Sequence, residues 1–308
     1  MKKTLIILAI VSIVTFRFTF SPGIDNKDVT SSVNHIEKKP FVYRFASAEI
    51  ARQIAKIIPN NLVDSIASKF PEGHRIHNWK AEHIAVIILA FFSFLGFYFA
   101  FKALYKSIYY VENFPICALA VLLVPLLFSY AGYIYDPLEL LLFTLGLYWT
   151  ASERFLFLIL VPLMAFSKET TILLYFYFFA VNYRWLIEKL RLTVAFIVSF
   201  TCWIIIHQCV VLLFINSPGS DMIISVHHNL EILISPFSWQ FLFATLVVGL
   251  FFYKFNNKPF EIRLSLWYIV PMFVLYLIGG FYDEPRALLE AYPMVFLGVY
   301  EALKIKNN

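Results

Sequence analysis

Charge is scarce in this chain: Asp, Glu, Lys and Arg make up only 15% of its 308 residues, where soluble domains carry about 25%. With 60% hydrophobic residues and a mean hydropathy of +0.74, that shortage excludes a water-soluble globule, which has no means of hiding so much apolar surface. Strict polar and apolar alternation is also missing, and the apolar runs are long and unbroken. A membrane β-barrel needs that alternation, whereas helices satisfy their own backbone groups in lipid. The sequence therefore reads as an all-α, polytopic transmembrane helix bundle with the lipid bilayer as its partner. Cysteine is limited to Cys117, Cys202 and Cys209, all inside apolar runs, which excludes a disulfide framework or a zinc site of ordinary spacing. The formal charge of +5 implies no nucleic-acid partner, because most basic residues flank apolar runs, where they orient spans.

At roughly 20 residues per span, the apolar runs predict about ten helices, near 4–20, 82–104, 114–132, 137–150, 155–167, 170–183, 192–215, 239–253, 264–281 and 287–303. Residues 1–308 then form a single integral membrane domain. The start, Met1-Lys2-Lys3 followed by apolar residues to Phe20, lacks a small-x-small cleavage site and reads as a retained first span. With the N-terminus inside, Lys102, Lys106, Arg154, Arg184, Lys189, Arg191, Lys254, Lys258, Arg263, Lys304 and Lys306 join Lys2 and Lys3 on the cytoplasmic side, while short outer loops receive only Lys168 and Arg286. The positive-inside rule thus predicts a multi-pass cytoplasmic (inner) membrane protein with both termini in the cytoplasm.

Residues 155–183 test this topology, being long for one span and short for two. A single span would invert everything downstream and leave Arg286 as the only basic residue inside that half. Two short helices meeting at Ser167-Lys168-Glu169-Thr170 keep the charge rule, and they place two charges at membrane depth. Each such placement costs about 2.5–3.5 kcal/mol on the insertion scale, so it calls for a protein-lined cavity.

The loop at 21–80 is predicted to be extracytoplasmic and to carry two interfacial helices, at about 45–58 and 61–70. In the first, Phe45, Ile50, Ile54, Ile57 and Ile58 share a face opposite Glu49, Arg52, Gln53 and Lys56; Pro59 ends it, and Leu62, Val63, Ile66 and Phe70 continue the apolar stripe.

Polar constellations gather on the same predicted side. Asp25 and Asp28 follow the first span, where a carboxylate suits a general base or a divalent cation, such as magnesium or manganese, shared with a phosphate; the plainer reading is a solvated loop. Arg44, in Pro40-Phe41-Val42-Tyr43-Arg44, offers a planar fork for phosphate or carboxylate, or snorkels at the interface. Asp136 precedes Pro137 at a helix start and caps it or faces a substrate. Lys168 and Glu169 form a buried pair or bind substrate. Glu284 and Arg286 open the last helix, where Arg286 holds a lipid phosphate or pairs with Glu290 four residues on. His74 and His77 have ligand-like spacing without a recognised metal signature, and His207 lies inside a span.

A span, a long outer loop that carries acids near its start and interfacial helices after them, then many spans with short outer turns, resembles the GT-C type of polytopic membrane glycosyltransferase. Pro40 to Arg44 before an amphipathic helix, Lys168-Glu169, and Glu284-Pro285-Arg286 at a late helix start look like an uncharacterised bacterial membrane-protein branch near that superfamily. The resemblance implies transfer of a sugar from a polyprenyl-phosphate-linked donor at the extracytoplasmic face to a glycan, lipid or protein acceptor. It implies that Asp25 or Asp28 serves as base or metal ligand, with Arg44, Asp136, Lys168, Glu169, Glu284 and Arg286 around the substrate. A transporter or flippase, a polysaccharide polymerase for lipid-linked glycans and a structural subunit are the competing classes.

Overall fold

The computed structural model describes residues 2–20, 26–72, 74–128, 132–219, 225–234, 239–279 and 289–304. They are helical, with no strand among them. In chain order the α-helices are α1 (Lys2–Thr19), α2 (Asn26–Val33), α3 (Phe45–Ile57), α4 (Asn60–Ala67), α5 (Ala81–Tyr109), α6 (Phe114–Leu122), α7 (Asp136–Ser152), α8 (Arg154–Leu160), α9 (Leu173–Glu188), α10 (Leu190–Leu213), α11 (Val226–Ile234), α12 (Trp239–Phe252), α13 (Phe260–Leu264), α14 (Leu266–Gly279) and α15 (Tyr292–Leu303). Among the described residues three stretches are long and apolar enough to cross a membrane: α5, α10 and the α13–α14 segment, Phe260–Gly279.

Helix boundaries follow local chemistry. The Asn113 side chain accepts the Ile116 N–H at 3.2 Å and begins α6. α5 stops where Tyr110 turns left-handed at φ 59°. The stretch expected to cross at 114–132 holds α-helix only to Leu122 and then tightens into a 3-10 turn at Val124–Leu126. Pro125 supplies no amide hydrogen for the helical ladder there.

α5 is the central post, packed by α1, α3, α6 and α7. Its most apolar stretch is 56% buried, against 17% for that of α10. Leu190, Val194, Ile197, Ile205 and Leu212 of α10 are exposed, which makes it a helix whose natural surroundings are hydrocarbon. α15 runs parallel to α5: Phe97 meets Tyr292, Phe101 meets Phe296 and Tyr105 meets Tyr300, with ring centroids 6.3, 5.6 and 6.1 Å apart. Each rung advances four residues on both helices, so the two keep register over more than two turns.

The small residues Ser47, Ala48 and Ala51 are the buried face of α3, while Ile50 and Ile57 are 40% and 81% exposed. The isoleucine stripe is thus turned partly outward, and the small side chains let α3 approach α5 closely. Across the α2–α3 junction the His35 ring stacks on Phe45, 5.0 Å away. Glu49 takes hydrogen bonds from Gln53, His35 and Arg52, and these, the Gln53 bond first, hold its carboxyl below the usual range.

The segment at 155–183 folds back on itself. α8 passes into a 3-10 stretch, Val161–Phe166; Lys168 is extended (φ −166°, ψ 145°); a 3-10 turn, Glu169–Ile172, leads into α9. Phe157 stacks on Phe178 at 4.2 Å and the Arg154 guanidinium sits over Trp185 at 5.1 Å. In one straight helix the latter pair would lie about 46 Å apart. The two limbs therefore form a hairpin whose tip is Ser167–Thr170.

A Cβ on Gly298 would collide with the Phe251 ring, whereas one on Gly249 meets nothing within 4 Å. Gly298→Val is expected to lower stability by about 1–3 kcal/mol, and Gly249→Ala to be neutral or stabilising by up to about 1 kcal/mol. Melting of the two variants in detergent checks this; equal melting temperatures would contradict the packing of α12 on α15.

Candidate functional site

At the hairpin tip the chain must leave the helical ladder, and Lys168 does so with its side chain directed into protein. The ammonium is 4% exposed and lies 2.5 Å from Glu290 Oε1, with Glu290 fully buried. The Tyr276 hydroxyl is 3.1 Å from the Lys168 Nζ and donates to Glu290 Oε1 at 3.2 Å. Thr170 Oγ1 adds a bond to the same carboxylate at 2.8 Å. Behind them, Thr171 donates to the Lys168 carbonyl at 2.8 Å and accepts the Trp203 indole N–H at 3.0 Å, which ties the tip to α10.

Glu139, one turn into α7 and 1% exposed, stands across from Thr170 with Oε1 3.5 Å from its hydroxyl. Arg44, immediately before α3, brings a second cation: its Nη2 is 3.6 Å from Glu169 Oε1. The guanidinium lies over the rings of Tyr135 and Phe41, at 4.3 and 5.3 Å. Phe41 stacks on Tyr133 (5.5 Å, 7°), and Tyr133 on Tyr135 (5.4 Å, 16°). Arg44, α7, the hairpin tip, α14 and the residues before α15 thus converge, and two cations face three carboxylates.

The cluster is not internally complete. Arg44 Nε and Nη1, Glu139 Oε2, Glu169 Oε2 and Ser167 Oγ are buried without a hydrogen-bond partner. Leaving a buried polar atom unpaired costs about 1–3 kcal/mol, more when it is charged, and five such atoms lie in this one cluster. Glu169 keeps 39% of its side chain exposed, against 10% for Arg44, and thereby marks the accessible edge. The ladder of rings sets the depth: Glu290 lies two residues before Tyr292, whose partner Phe97 is about 24 Å along α5 from its first residue.

Of the residues expected at the site, Arg44, Lys168 and Glu169 come together. Asp136 serves its own turn, its Oδ2 accepting the Tyr133 N–H at 2.8 Å. Asp28 lies on α2, which packs against α3 and α5. Asp25, Glu284 and Arg286 lie outside the described residues. Lys168 and Glu169 do not pair with each other; their partners are Glu290 and Arg44. The sequence reading missed Glu139, Thr170 and Tyr276. Glu139 carried the signal that singled out Lys168, an ionisable residue in an apolar run, but an acid in a helix's first turn passes as a dipole partner. His74 and His77 are used locally, His74 Nδ1 accepting the Ile76 N–H and His77 bonding the Phe70 carbonyl. Among the described residues no group of three or more His, Cys, Asp or Glu is arranged to hold a metal ion.

Lys168→Met strands the Glu290 charge and is expected to cost about 3 kcal/mol or more; the double variant Lys168→Met with Glu290→Gln should recover most of it. Thermal unfolding of both in detergent is the check, and a double variant as unstable as the single one would remove the pair from its structural role. Comparison with protein-family models, with curated proteins and with solved structures found no match.

Proposed function

We propose that this chain is a membrane glycosyltransferase of GT-C type, moving a sugar from a polyprenyl-phosphate-linked donor to an acceptor hydroxyl at the extracytoplasmic face. In this reading about ten helices span a cytoplasmic membrane with both termini inside, and α3 and α4 lie at the outer interface. The observation that carries it is the coexistence, in one deep cluster, of unused cationic donors on Arg44 and unused carboxylate oxygens on Glu139 and Glu169, beside the half-buried rings of Phe41 and Tyr133. A sugar phosphate asks for that combination: a planar cation for its phosphate, acceptors for its hydroxyls and an aromatic face for its ring.

The acceptor oxygen attacks the anomeric carbon, forming the new glycosidic bond. The bond from that carbon to the phosphate oxygen breaks, and its electron pair leaves with the phosphate. Arg44 stabilises the departing charge in a site of low dielectric. Glu139, which unlike Glu169 and Glu290 of the same cluster is in no salt bridge, takes the acceptor proton; Asp25 and Asp28, nominated by resemblance, are its rivals for that role. Lys168, engaged by Glu290 and Tyr276, positions the tip, while Glu169 faces the substrate.

Transport is less well supported. Between the level of Glu290 and that of Tyr300, Phe101, Leu104, Met294 and Leu297 are buried, an apolar plug where a pathway would need polar steps.

The test is transfer from a panel of radiolabelled polyprenyl-phosphate-linked hexoses and pentoses by the purified chain in liposomes. Loss of a general base lowers the rate by about 10²–10⁴, and that is the expected effect of Glu139→Gln; Arg44→Gln should reduce transfer comparably. Retained transfer in Glu139→Gln with loss in the Asp25→Ala, Asp28→Ala double variant would move the base to the loop. Unaltered surface glycans in a deletion strain, together with no transfer from any donor, would falsify the reading.

A further inference from the structure

A second feature lies away from the charged cluster and shares no residue with it. Between α1, α4, the Arg75–Asn78 turn and the first half of α5 runs an open groove of about 490 Å³, within the roughly 300–1,000 Å³ of ligand pockets. Phe16 and Phe20 form one wall, Ile88 and Phe92 the other, and Ile66 and Phe70 close its top. At the Trp79 end the groove meets a small polar cleft, and Thr19, Trp79 and Ile87 line both. Arg75 and His83 line the cleft, whose free space of about 10 Å³ is that of a single water.

His83 is the informative residue. Its Nδ1 accepts the Lys80 N–H at 3.1 Å, so Nε2 carries the hydrogen. That donor is buried without a partner, on a side chain only 5% exposed. An apolar channel with an arginine and an unspent donor at one end has the polarity of an amphiphile: chain in the groove, anionic head at the cleft.

We propose that this groove binds one phosphate-headed membrane lipid, with an acyl chain between α1 and α5 and the phosphate at Arg75, its link to His83 passing through one water. The 10 Å³ cleft excludes the phosphate itself, so the head group sits at the cleft mouth beside Trp79, where an indole marks the membrane interface. The assignment is independent of the chemistry at Arg44 and Glu139.

The experiment is native mass spectrometry of the full chain in detergent with dioleoyl phosphatidylglycerol, and with dioleoyl glycerol, which lacks the phosphate. One phosphatidylglycerol should remain bound per chain and dioleoyl glycerol should not. Arg75→Gln, which removes the charge at the head, and Ile88→Trp, which fills the groove at a half-buried position, should each weaken binding about tenfold, the effect of one charge-assisted hydrogen bond or of comparable lost burial. Leu156→Trp, on an exposed face elsewhere, should bind like the wild type, and the melting temperature of each variant reports its folding. Equal retention of the two lipids, wild-type affinity in a folded Arg75→Gln or Ile88→Trp, or displacement of the lipid by millimolar inorganic phosphate overturns the proposal.

Discussion

Lys168 and Glu290 hold their charges 2.5 Å apart where neither has water to turn to. Two such ions are expensive to desolvate, and only close contact with further hydrogen bonds offsets that cost. Tyr276 and Thr170 provide those bonds. The pair therefore fixes three things at once: the hairpin tip, the C-terminal turn of α14 and the entry to α15. It thereby joins elements more than 100 residues apart in sequence.

Around that anchor the remaining charges are arranged less tightly. Arg44 and Glu169 stand 3.6 Å apart, beyond a good hydrogen bond, and several of their donors and acceptors remain unused. A satisfied pair thus stands beside an unsatisfied one: the first rigidifies, and the second leaves hydrogen-bonding capacity unspent. The aromatic stack under Arg44 belongs with the second, since rings hold a guanidinium without consuming its N–H groups.

Much of the secondary structure was legible in the sequence, because long apolar runs, Pro59 and the charged break at Lys168 each have a local physical meaning. The break was readable because an ammonium in an apolar run is costly wherever the chain goes. Its partner was not, since Glu290 lies 122 residues away and nothing local distinguishes it from an acid bound to Arg286. The packing face of α3 was not legible for a different reason. In water an apolar stripe points to the core, but where the surroundings are also apolar the close contact goes to small residues, here Ser47, Ala48 and Ala51. Glu139 escaped notice because its position has an ordinary explanation at a helix start.

The ladder of rings between α5 and α15 has a mechanical meaning. α15 is pinned at its start by the residues around Glu290 and near its end by Lys258, which donates to the Gly298 carbonyl, and by Tyr300 against Tyr105. A helix clamped at both ends and meshed along its length does not slide by fractions of a turn. The position of the Glu290 carboxylate is thus set partly by contacts made at the far end of the bundle, some three turns below it. Wear at that distant end, a smaller residue at Tyr300 for instance, would be felt as slackness among the buried charges.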